Sequence, residues 1–87
     1  MNHKTLFRAL KNRGRVTLSY KKNEEIIYTI VLAYKSNSFS LYSYYDDGDF
    51  LADDYYKDEY HVEKPDFDEL IEIVKDKFPG AVESWKG

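Results

Sequence analysis

Two periods of hydrophobic recurrence divide the chain. Over residues 3–12, Leu6, Phe7 and Leu10 fall on one side of a 3.6-residue repeat, and Lys4, Arg8 and Lys11 fall on another. This predicts a short amphipathic helix, with Asn2 at the N-cap position and Gly14 as its C-terminal stop. At Arg15 the period changes to two. In RVTLSYK, Val16, Leu18 and Tyr20 face one way, and Thr17, Ser19 and Lys21 face the other. KNEE then reads as a turn, and Ile26 through Tyr34 is almost unbroken apolar and β-branched sequence. Such a run predicts a central strand covered on both sides.

SNS marks a second turn, followed by FSLYSYY, in which Phe39, Leu41 and Ser43 alternate with Ser40, Tyr42 and Tyr44. DDGD is the strongest turn signal, because Gly48 accepts positive φ without steric cost. FLADDYY (50–56) reads as a fourth strand, kept to an edge or a ribbon by Asp53 and Asp54. Asp66 followed by Glu69 is a capping box opening a second helix. Its core face would be Phe67, Leu70, Ile71, Val74 and Phe78, with Pro79-Gly80 as the stop. AVESWK remains as a tail carrying Trp85, docked or extended. The expected fold class is α+β: a short N-terminal helix, an antiparallel meander of three to four strands, and a C-terminal helix on one sheet face. At 87 residues, the chain 1–87 makes one small domain with a thin core.

Composition narrows the functional classes. Apolar residues make up 43%, which removes the chain from the disordered class. No run approaches the roughly 20 apolar residues of a membrane helix. The opening MNHKTLFRALKNRGR has no apolar stretch of the kind a secretory signal requires. With no cysteine there are no disulfides, thiolate metal sites or cysteine nucleophiles, and a cytoplasmic location is expected.

Charge changes the picture more. The formal net charge is only −3, but residues 1–22 carry seven basic side chains and no acid. Residues 46–63, DDGDFLADDYYKDEYHVE, carry eight acids against one lysine, with three tyrosines among them. Asymmetry of this kind bears on fields and partners rather than on fold.

Candidate chemistry follows from that distribution. Nucleophilic catalysis needs a nucleophile, a base and an orienting group. The only histidines are His3, near the terminus, and His61, in EYHVE beside carboxylates. There is no glycine-rich phosphate loop, so no enzyme activity and no cofactor are expected. The aspartates do not follow the spacing of a calcium loop, so no dedicated metal site is expected either.

The acidic, tyrosine-rich segment fits a protein-binding face instead. Asp46, Asp47, Asp49, Asp53, Asp54, Asp58 and Glu59 supply charge, while Tyr55, Tyr56 and Tyr60 supply large contact area with few rotatable bonds. Clustered carboxylates steer encounter with a basic partner, and the natural example is a protein surface built to hold nucleic acid. Acids two apart on a strand lie about 6.6–6.8 Å apart, a spacing suited to partial mimicry of a phosphate backbone. The alternative is nucleic-acid binding by the basic N-terminal stripe of Lys4, Arg8, Lys11, Arg13 and Arg15. A homodimer that joins the basic N-terminus of one copy to the acidic segment of another is a further expectation.

In size, in its opening MNHKTLFRALKNRGRVTLSY, in its meander and in its acidic segment, the chain resembles the small phage-encoded inhibitors of bacterial defence nucleases, of anti-CRISPR and anti-restriction type. DDYYKDE (53–59) is also similar to the paired tyrosines among carboxylates in acidic immunity proteins that neutralise bacteriocin nucleases. The resemblance is one of architecture and charge. It implies stoichiometric inhibition, with the acidic face occupying a nuclease's nucleic-acid channel. The basic N-terminal third departs from a pure nucleic-acid mimic and confines the mimicry to one face.

Overall fold

The computed structural model describes residues 2–46 and 56–85. The element order is α1 (Asn2–Arg13), β1 (Arg15–Lys21), β2 (Ile27–Lys35), β3 (Ser38–Asp46), β4 (Tyr56–Lys64), α2 (Phe67–Lys77) and α3 (Ala81–Ser84). The strands form one antiparallel sheet in the order β1-β2-β3-β4, a strict meander, so the α+β class expected from the sequence is the one observed. Among the described residues no helix is long and apolar enough to cross a membrane.

Local chemistry explains four of the described junctions. Gly14 takes φ +81°, and its N–H closes the last turn of α1 on the Leu10 carbonyl at 2.8 Å. Its own carbonyl accepts the Tyr34 N–H at 2.9 Å, which ties the helix end to β2. The β1–β2 connection is held by the Asn23 side chain, whose Oδ1 accepts the N–H groups of Glu25 and Ile26 at 2.8 and 2.9 Å. Ser36 and Asn37 both have positive φ, +53° and +63°, so β2 and β3 join through a two-residue turn of the kind that matches strand twist. Asp66 caps α2 by accepting the Asp68 N–H at 3.0 Å.

The core lies between one face of the sheet and the three helices. Val16 and Leu18 of β1, Tyr28, Ile30 and Leu32 of β2, and Phe39 and Leu41 of β3 bury that face. It is met by Leu6, Ala9 and Leu10 from α1, by Phe67, Leu70, Ile71 and Val74 from α2, then by Phe78, and by Ala81 and Val82 from α3. The α2 face is the one its periodicity predicts. Each fully buried leucine here contributes about 2 kcal/mol by removal from water.

Three expectations need correction or completion. The first concerns β2, which is not covered on both sides: Tyr28, Ile30 and Leu32 are buried, while Thr29, Val31 and Ala33 on the other face are only half-buried. Small and β-branched residues suit a pleated surface whether or not a layer covers it, so the apolar run did not imply two layers. The second concerns the strand after β3: the fourth described strand is YKDEYHVEK, which shares Tyr56 with the expected FLADDYY, and residues 50–55 of that stretch lie outside the described residues. The third concerns the tail, which is docked: Ala81 and Val82 are buried and Trp85 packs partly against the core.

Candidate functional site

β4 is the strand that carries the described part of the acidic segment. Asp46 pairs with Tyr56 and Tyr45 with Lys57, but Ser43 pairs with Tyr60, so β4 has one more residue than β3 over this stretch. The extra residue makes a bulge, and Asp58 in it takes φ +50°. A short polar side chain tolerates that left-handed conformation better than most.

The bulge decides where the side chains go. Asp58 is turned to the helix side of the sheet, where its Oδ2 accepts the Tyr28 hydroxyl at 2.6 Å. That bond, with burial and the Asp58 charge adding to it, pushes the Tyr28 phenol up to about 12. Tyr60 is also on the helix side. Its ring packs against the core, and the Lys77 ammonium lies 4.3 Å from its centroid. Glu59 faces the opposite way and accepts a hydrogen bond from the Tyr42 hydroxyl. Of the ten residues expected to contact a partner, Glu59 is therefore presented on the uncovered face, and Asp58 and Tyr60 support the fold. Asp46 and Tyr56 begin and end the β3–β4 connection, and Asp47, Asp49, Asp53, Asp54 and Tyr55 lie outside the described residues.

All helix contacts fall on the buried side of the sheet, so its other face has no covering layer among the described residues. On that face Tyr42 and Tyr44 stand with ring centroids 5.4 Å apart. In the register, His61 sits opposite Tyr42, and Glu63, opposite Ser40, adds a second acid to the β4 edge. Arg15 and Lys21 end the far strand, β1. The face is thus polarised, tyrosine and acid toward β4 and cation toward β1. Tyr42, Tyr44, His61 and Glu63 did not emerge from sequence reasoning as site residues. The signal that could have found them is the period-two spacing of Tyr42 and Tyr44 opposite the one that buries Leu41 and Ser43.

The basic stripe lies elsewhere. Lys4, Arg8 and Lys11 line a groove of about 920 Å³ between α1, the β2–β3 turn and the start of α2. Aromatic residues form its floor: Phe7 meets Phe67 edge-on at 5.0 Å and lies 5.9 Å from Phe39, while Tyr34 lies 4.7 Å from Phe39. Phe7, expected in the core stripe, is 38% exposed over this groove. Lys11 is pinned there, 4.8 Å from the Tyr34 ring centroid and 5.5 Å from that of Phe7, and donates to the Tyr34 hydroxyl at 3.4 Å. Asp66 and Asp68 stand on the opposite wall. Arg13 and Arg15 belong to the end of α1 and the start of β1 and do not line the groove. His3 lines the groove, whereas His61 is exposed on β4. Among the described residues no group of three or more His, Asp or Glu is placed to hold a metal ion.

Compared with family models, curated proteins and solved structures, the chain finds no match.

Proposed function

We propose that this domain is a non-enzymatic inhibitor that binds a basic nucleic-acid-processing protein, in the manner of phage anti-defence or immunity proteins, and acts in the cytoplasm. The observation that carries this reading is the uncovered sheet face on which Tyr42, Tyr44 and Glu59 stand together beside the strands that bracket the acidic connection. Half-buried aromatic rings with polar ends, set beside carboxylates, combine contact area with charge complementarity toward lysine and arginine. In this reading Asp46, Asp47, Asp49, Asp53 and Asp54 supply further charge to the partner, and Tyr55 and Tyr56 further contact area. Glu59 joins them from β4, and Asp58 and Tyr60 hold β4 in place behind it.

The test begins with capture from host lysate, treated with nuclease and run at low and high salt, followed by an activity assay of the purified captured protein. A single basic protein should be retained at low salt and its nucleic-acid processing should be titrated out at a fixed stoichiometry. Asp53→Lys with Asp54→Lys should abolish capture while leaving circular dichroism and melting unchanged. Retention of the partner at unaltered affinity by that double variant would show that the binding face is misplaced.

A further inference from the structure

The groove on the helix side is walled by the cations of α1, and its chemistry is that of a ligand site. We infer that it binds single-stranded nucleic acid, with one base stacked on Phe7 and the flanking phosphates held by Lys4 and Arg8. This inference stands apart from the inhibitor reading, because the residues belong to the helix side of the sheet.

Three observations carry it. The first is charge: the α1 sequence NHKTLFRALKNR contains no acid, and its 1.5 Å rise per residue strings Lys4, Arg8 and Lys11 along about 10 Å of one wall. The second is the platform. Phe7 is a large apolar side chain left 38% exposed, in ring contact with Phe67 and Phe39 and with the Lys11 ammonium 5.5 Å from its centroid. An aromatic face flanked by cations is the arrangement that holds unpaired bases, whose π-faces stack irrespective of sequence. The third is the opposite wall, where Asp66 and Asp68 offer acceptors suited to the amino edge of a base rather than to its phosphate. A groove of about 920 Å³ is at the upper end of the size of small-molecule sites, large enough for a nucleotide unit with its neighbours emerging into solvent. An acidic peptide would satisfy the cations but would leave Phe7 unstacked and would meet Asp66 and Asp68 with like charge.

The full chain titrated against a fluorescently labelled oligothymidylate, with anisotropy as the readout, tests this directly. Binding should weaken with salt by a log–log slope of about −0.7 for each phosphate neutralised. Arg8→Glu, at an exposed position, should reduce that slope and the affinity. Phe7→Ala should weaken binding by roughly five- to a hundredfold while leaving the salt slope unchanged, since stacking is lost and phosphate contacts are kept. Thermal melting of both variants serves as the folding control. If Phe7→Ala fails to fold, Phe7→Leu, which keeps apolar bulk but removes the π-face, takes its place with the same expectation. No binding at low salt would overturn the inference. So would equal affinity for the same sequence as a duplex, whose bases are unavailable to the ring, or binding of polyglutamate with the same affinity.

Discussion

At the residue scale, the contact between Tyr28 and Asp58 is the most informative, because it links the core to the bulge. Tyr28 is buried, its hydroxyl donates to a carboxylate at 2.6 Å, and that carboxylate belongs to a residue held at φ +50°. The bond is thus one of the forces that keep Asp58 in a backbone conformation costly for most side chains. It also produces a pH dependence whose sign is determined. In the unfolded chain the phenol ionises near 10, whereas in the folded protein it is pushed up to about 12. The folded state therefore retains a proton that the unfolded state has lost, and the stabilisation, complete below about pH 10, disappears as pH rises through about 12. Tyr28→Phe should cost about 1 kcal/mol at neutral pH, since Asp58 can rehydrate at the surface. The difference in melting between the two proteins should shrink over that alkaline window, and the latest-ionising tyrosine should vanish from the ultraviolet titration. A difference that stays constant with pH would refute the role given to this bond.

At the element scale, helix α2 and strand β4 show what the sequence can and cannot reveal. The cap at Asp66, the buried face from Phe67 to Phe78 and the stop at Pro79-Gly80 were all legible, because capping and 3.6-residue periodicity are decided by near neighbours. Asp66→Ala should accordingly cost about 1 kcal/mol, seen as a lower urea midpoint with an unchanged slope. Strand β4 was harder to locate. In YKDEYHVEK the bulge at Asp58 breaks the alternation that identifies a strand, and dense acid reads as solvated surface. The groove was half legible. Lys4, Arg8 and Lys11 could be placed on one helix, but the wall from Pro65 to Asp68 comes from far along the chain, and only packing brings it opposite Phe7. The same limit applies to β2, whose apolar run specifies a strand but not which of its faces another layer will cover.

At the scale of the whole molecule, a net charge of −3 conceals an uneven distribution, seven cations and no acid over residues 1–22 against eight acids and one lysine over residues 46–63. The basic groove opens on the helix side, and the tyrosines and acids stand on the bare side of the sheet. Placing the sheet between them keeps the two fields from cancelling by direct contact, and at physiological salt charges farther apart than about 8 Å are largely screened from one another. The strand order has a kinetic consequence as well. Every strand is bonded only to its neighbours along the chain, so no pairing has to wait for distant segments to find one another. Stopped-flow dilution from urea should therefore show one dominant exponential faster than that of all-β barrels of equal length, with the amplitude in tyrosine fluorescence matching that in circular dichroism. Prompt self-assembly of this kind shortens the time for which the strand edges and the bare sheet face are open to other unfolded chains.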